Sequence, residues 1–187
     1  MQKMLIVFDY LKRYHSDIFD AIAILLEIIT LKRYSSNHIL DLLNKAEKRK
    51  PIKQDFDCIM TDLFGDLYTA PNSNINLIKI LKAINEVEIT DEKIEILINT
   101  ITQKKTINKL YSYSTPMEIN RLIIGILDIK DNDEIYNPCY GIGSLFLALS
   151  QTKKKFSIYG EELDSSLDRI AKLILKSLDM KTDNLYV

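Results

Sequence analysis

The sequence predicts an α/β chain: a mainly helical domain over residues 1–110, then an incomplete doubly wound domain of about three parallel strands over residues 111–187. Three observations carry that expectation. Over the first two thirds, apolar residues recur at three- and four-residue spacing, and Gly65 is the single glycine of that stretch. From Thr115 onward, short apolar runs alternate with helical periods, the order that builds a parallel sheet. Between the first of those runs and the next helix lies a glycine loop, Asn137-Pro138-Cys139-Tyr140-Gly141-Ile142-Gly143-Ser144.

Composition narrows the class. With 187 residues, 47% of them hydrophobic and 27% charged, the chain buries a genuine core and is not disordered. A formal net charge of -1 excludes wrapping of nucleic acid by bulk positive charge, so any such contact is local or shared with partners. Cys58 and Cys139 lie far apart, in a helix-like and a turn-like context, and read as reduced thiols. The isolated His15 and His38, with no Cys/His cluster, give no support to a zinc site. Met1 leads into an amphipathic, charge-bearing segment without the pattern of a secretory signal. The apolar run Ala21 to Ile29 is broken by Glu27 and flanked by charge, so no bilayer span is expected. These features imply a cytoplasmic protein with no membrane partner.

The helical period places helices near Met4 to Arg13, Asp17 to Tyr34, Asn37 to Lys48, Asp55 to Tyr68, Asn74 to Asn85 and Asp91 to Gln103. Ser36 or Asn37 is the expected cap of the third, and Lys50-Pro51 closes off its basic end. Ala70-Pro71-Asn72-Ser73-Asn74 is a turn-rich break, while Asp91 and Glu92 favour the start of the sixth helix through its dipole. Lys104 to Asn108 is a polar link. The stripe Ile75, Leu77, Ile78, Ile80, Leu81 and Ile84 reads as core or as a partner-facing surface.

Beyond the link, Thr115-Pro116-Met117-Glu118 has capping-box spacing, with proline at the first helical position. Strands follow at Glu134 to Tyr136, Phe156 to Tyr159 and Asn184 to Val187, separated by helices over Gly143 to Ser150 and Asp164 to Leu178. The third strand is expected at an edge of the sheet or dependent on polypeptide that this sequence does not encode.

Three pieces converge in such a topology: Thr115-Pro116, the glycine loop, and Glu161-Glu162 after the second strand. Ligands of doubly wound sheets lie across the carboxyl ends of adjacent strands, so a glycine turn after one strand and a carboxylate after the next face one crevice. Gly141 and Gly143 allow a sharp turn and close approach, and an acid opposite them can accept from ribose hydroxyls. Phe146 stands where a dinucleotide fingerprint has a third small residue, which argues against NAD. Pro138 before the glycines and Thr115-Pro116 ahead of the first strand point to S-adenosylmethionine instead. Ordinary readings hold elsewhere. Glu161 reads as a solvated charge, and Cys139 with Tyr140 is no nucleophilic pair without a nearby histidine. Lys45, Lys48, Arg49, Lys50 and Lys53, like Lys153 to Lys155, read as solvated basic segments.

From Tyr113 to Met180 the chain resembles adenine-specific (N6) DNA methyltransferases, in particular the modification subunit of type I restriction-modification systems. Tyr113-Ser114-Thr115-Pro116 is similar to that family's aromatic-x-Thr-Pro element, Asn137 to Ser144 to its Asp-Pro-x-Cys-Gly-x-Gly-Ser loop, and Tyr159-Gly160-Glu161-Glu162 to its aromatic-Gly-Gln-Glu strand end. Ile24 to Ser36 and Asp62 to Tyr68 look like the helical domain of the same subunit. The resemblance implies a partial Rossmann-like methyltransferase domain and S-adenosylmethionine as cofactor. It implies cofactor-binding roles for Thr115, Pro116, Asn137, Pro138, Gly141, Gly143 and Glu162, with Thr115 and Pro116 near the methionine part and Glu162 on the ribose. Asn137 replaces the loop acid and Ile142 the loop hydroxyl residue, departures that lower the expected affinity. The family's Asn/Asp-Pro-Pro-aromatic catalytic motif has no counterpart, because Pro51, Pro71, Pro116 and Pro138 include no adjacent pair. The expectation is therefore an N-terminal part of such an enzyme, truncated before that motif, with no catalytic residue of its own and inactive alone. Its partners would be DNA, a specificity subunit, and other restriction-modification subunits or the missing C-terminal half. The alternative is a non-catalytic helical module that binds a partner subunit or DNA.

Overall fold

A computed structural model describes residues 1–103 and 114–187, and the chain divides into two units, Met1–Lys93 and Ile94–Val187. The expected domain boundary at residues 110 and 111, the polar link and Tyr113 lie outside the described residues.

The first unit is built around one buried helix. Its helices are α1 (Gln2–Leu11), α2 (Ile18–Tyr34), α3 (Ser36–Glu47), α4 (Lys53–Phe64), α5 (Leu77–Asn85) and the start of α6 (Asp91–Gln103). Every residue of α2 from Ala21 to Leu31 is buried, so its apolar character runs all round and its neighbours wrap it. Asp17 opens α2 by accepting the Phe19 amide at 2.9 Å, and Lys32 and Arg33 close it with the charge the dipole favours. Lys32 donates to Asn85 at 2.8 Å and Arg33 pairs with Asp91, which ties that end to α5 and to the start of α6. Glu27, the residue that broke the apolar run, is buried and accepts the Thr69 amide at 2.9 Å. That bond turns a buried carboxylate into an anchor for the segment after α4. Ile80, Leu81 and Ile84 of the α5 stripe are buried, whereas Ile78 is exposed.

Two end signals are read differently by the fold. Ser35, not Ser36 or Asn37, takes the N-cap position of α3, and no side chain caps it, because Ser36 and Asn37 have already entered the helix. The helix expected to reach Tyr68 ends at Phe64, where Gly65 adopts a positive φ of 54° and the chain continues as a 3-10 turn to Leu67.

The second unit carries the sheet. After α6 come α7 (Met117–Leu127), β1 (Asp133–Asn137), α8 (Ser144–Ser150), β2 (Phe156–Glu161), α9 (Ser165–Ser177) and β3 (Leu185–Tyr186). Among the described residues the strands form one parallel sheet in the order β1-β2-β3, with Ile135 opposite Ile158 and Gly160 opposite Leu185. Ile135, Ile158 and Leu185 point to one face, where they join Phe146 and Leu149 of α8 and Ala171 and Leu175 of α9 in a single core. Asp164 caps α9 through its carboxylate, which accepts the Ser166 amide at 2.8 Å.

The capping box expected at Thr115 does not form. Pro116 is the N-cap, with extended backbone at ψ 143°, and no side chain caps α7. Asn120 instead donates to the Thr115 carbonyl at 3.1 Å, so the turn is held from inside the helix and Glu118 is left exposed. None of the helices among the described residues is long and apolar enough to cross a membrane.

Candidate functional site

The glycine loop leaves β1 at Asn137, which lies opposite Gly160 of β2. The Asn137 side-chain oxygen accepts the Cys139 amide at 3.2 Å, a local turn that lifts Pro138 and Cys139 into solvent. The next side chain, Tyr140, turns inward and is buried. Gly141 and Gly143 both adopt positive φ, 57° and 79°. At Gly143 a Cβ would also meet the Ala171 Cβ at 3.1 Å, so both backbone angle and space call for glycine where the loop crosses α9. Ile142 is buried within the turn.

Glu162 stands across from this loop. One of its carboxylate oxygens accepts the Gly141 amide at 2.8 Å and the other accepts the Asp164 amide at 3.0 Å. The carboxylate thereby joins the turn after β1 to the turn after β2. A carboxylate offers about four acceptor sites, so lone pairs on both oxygens remain for a ligand. Glu161 points the other way, is exposed, and accepts from the Tyr136 hydroxyl at 3.3 Å. Thr115 and Pro116 are exposed at the head of α7, and their hydrogen bonds run to Asn120 within that helix, not to the loop.

Sequence reasoning gave Tyr140 no functional part, and the structure gives it a structural one. Its ring lies over Gly160, where an added Cβ would sit 2.7 Å from it, and against Phe146 with centroids 5.7 Å apart. Its hydroxyl donates to Asp168 of α9, which pairs with Lys172 at 2.9 Å, and lies 3.3 Å from the Tyr186 carbonyl. The loop is thus bolted to α9 and faces β3 from its own inner side. The i, i+4 spacing of Asp168 and Lys172 was visible in the sequence as a helix pair; nothing in it named Tyr140 as the third member.

Burial, and then the Asp168 carboxylate, push the Tyr140 phenol well above its ordinary value of 10.0. A raised folded value means that the contribution to stability is complete below the unfolded value and is lost as pH rises beyond it. Thermal melts between about pH 9 and 11.5 are expected to show falling stability of the second unit, and Tyr140→Phe to flatten that fall. Equal slopes for the two proteins would contradict the assignment.

Comparison with known proteins gives this geometry a context. Residues 85–186 match the N-6 DNA methylase family. The methylase subunit of the type I restriction enzyme MjaVII from Methanocaldococcus jannaschii is 30% identical over 80 residues, which cover 39% of this chain and 14% of that protein. The methyltransferase subunit of a type I restriction-modification system from Streptococcus thermophilus superposes with a TM-score of 0.60 at 14% identity, over 99% of this chain and 56% of its own. A candidate class I S-adenosylmethionine-dependent methyltransferase from Listeria monocytogenes gives 0.60 at 14% identity, over 99% of this chain and 52% of its own. At those identities the two structures establish likeness of fold, an α/β methyltransferase architecture of Rossmann type represented here by part of its sheet. The chain spans between 14% and 56% of the length of these relatives.

Proposed function

The chain belongs to the N-6 DNA methylase family, and we propose that it is the N-terminal part of a DNA adenine-N6 methyltransferase of a type I restriction-modification system, holding S-adenosylmethionine at the glycine loop. The observation that carries this reading is the Glu162 carboxylate held 2.8 Å from the Gly141 amide. Two amides fix both of its oxygens in place, and the remaining lone pairs suit a vicinal diol such as a ribose. Gly141 and Gly143 let the ligand approach the backbone, while Asn137 and Pro138 line the mouth of the turn. Thr115 and Pro116 would face the methionine portion. Asn137 contributes no charge to the ligand's ammonium, and its side-chain oxygen is already engaged by the Cys139 amide. Binding therefore leans on Glu162, and the expected affinity is modest.

S-adenosylmethionine supplies an activated methyl group when bound. Delivery to an exocyclic amine requires a base flipped out of the duplex into a pocket with polar and aromatic walls. The family's Asn/Asp-Pro-Pro-aromatic element, which builds such a pocket, is not among the residues of this sequence. The chain alone is accordingly expected to bind cofactor without transferring methyl groups, and to work with DNA, a specificity subunit and the remainder of a methyltransferase domain.

Calorimetric titration with S-adenosylmethionine tests the reading. Binding in the micromolar range is expected, with Glu162→Gln weakening it about tenfold or more, as befits loss of a charged acceptor. Absence of binding up to about millimolar cofactor would reject the site. Should a specificity subunit still be captured in that case, the chain is a non-catalytic interaction module.

A further inference from the structure

The acceptors around the glycine loop fall into two sets. Glu162 is fixed by the amides of Gly141 at 2.8 Å and Asp164 at 3.0 Å, and its remaining lone pairs are open to hydroxyl donors. At Asn137 and the head of α7 the acceptors are already in use. The Asn137 side-chain oxygen accepts the Cys139 amide at 3.2 Å, so the part of that side chain left for a ligand is its amino group, a donor that repels cations. The Thr115 carbonyl accepts from the Asn120 side chain at 3.1 Å, and the Pro116 carbonyl accepts the Asn120 amide at 3.0 Å. The Tyr140 carbonyl takes the Gly143 amide at 2.9 Å.

The neighbouring carboxylates are committed elsewhere. Glu161 accepts from the Tyr136 hydroxyl at 3.3 Å, Asp164 caps α9 through the Ser166 amide at 2.8 Å, and Asp168 holds Tyr140 and Lys172. Glu118 lies in solvent on the first turn of α7, where its charge suits the helix dipole and is screened. S-adenosylmethionine is a nucleoside with a vicinal diol, a sulfonium at its 5′ carbon and an ammonium beyond it. The diol meets a positioned carboxylate, and the two cations meet acceptors that are spent. A cation moved from water to such a place loses hydration without replacement. Across the ribose, the screened charge of Glu162 returns to the sulfonium only about a twofold gain.

We infer that the glycine loop of this chain selects the nucleoside half of its ligand, taking adenine nucleosides that keep both ribose hydroxyls and carry a neutral thioether at the 5′ carbon at least as readily as the cationic cofactor, and that Asn137 sets this preference. This rests on the cofactor reading above for the adenine and the diol, and adds which 5′ substituents the loop accepts. A neutral thioether forfeits nothing by lacking a positive charge, because no acceptor at the loop was waiting for one. It also avoids the desolvation that the sulfonium and ammonium incur.

Calorimetric titration of the full chain and of Asn137→Asp, each with 5′-methylthioadenosine and with S-adenosylmethionine, is the test. The thioether is expected to bind the wild type within about fivefold of S-adenosylmethionine, or more tightly. In Asn137→Asp one oxygen can still accept the Cys139 amide while the side chain gains a negative charge, and the ratio of affinities is expected to move towards the sulfonium by about tenfold. Wild-type binding of S-adenosylmethionine more than about fivefold tighter than that of the thioether overturns the inference, as does a ratio that Asn137→Asp leaves unchanged. The wild-type ratio decides alone if the variant does not fold. Binding of the thioether without measurable S-adenosylmethionine sustains this inference and rejects the cofactor reading, whereas failure of both ligands up to about millimolar rejects the two together.

Discussion

Replacing Asp168 by alanine is expected to cost the second unit about 3 kcal/mol, the lower end of the loss on removing one partner of a buried charged pair. Asp168 is 8% exposed at its side chain and Lys172 19%, so the ammonium left behind can rehydrate only in part. The Tyr140 hydroxyl falls back on the Tyr186 carbonyl 3.3 Å away, which softens the loss on that side. Tyr140→Phe alone removes one neutral-to-charged bond and leaves Asp168 its lysine, for about 1–2 kcal/mol. Denaturant unfolding measures both, and the double variant should lose less than the sum, because the two residues share one bond. Additive losses would show that Tyr140 and Asp168 act independently, and the bolt between loop and α9 would have to be abandoned.

The second large effect is expected at Gly160, where alanine should cost about 3 kcal/mol, at the upper end for overpacking. Its Cβ would stand 2.6 Å from the Asn137 carbonyl oxygen and 2.7 Å from the Tyr140 ring. Neither neighbour yields easily: the first is backbone of β1 opposite it in the sheet, and the second is pinned by Asp168. Relief requires β1 and β2 to separate just where the loop begins, so the substitution should also weaken S-adenosylmethionine binding about tenfold or more. Unfolding and titration of Gly160→Ala report the two effects separately. A protein of wild-type stability would mean that the strand ends are looser than the geometry implies.

Helix periods were legible because burial of apolar positions imposes them locally, and α1 through α6 fall within a few residues of where the spacing places them. The positions of the three strands along the chain were legible for the same reason. Ends were less so: Ser35 displaced Ser36 and Asn37 as the α3 cap, and Pro116 took a position that the Thr115 capping signal had claimed. Capping depends on the backbone angle of a single residue, which neighbours in space decide. The glycine loop and Glu162 were recognisable as facing groups from topology, but the bond between Gly141 and Glu162 spans 21 residues and depends on how two turns meet. Tyr140 and Asp168 are 28 residues apart, and their pairing required knowing that the ring passes over a residue with no side chain, Gly160.

Ultraviolet cross-linking of S-adenosylmethionine labelled in its methyl group, with peptide mapping of the product, would locate the cofactor on the chain. Label is expected on residues 137–144 or on 159–164, and is expected to be lost when Glu162 is replaced by glutamine. Label confined to the helical unit before Lys93, or unaffected by that replacement, would contradict it.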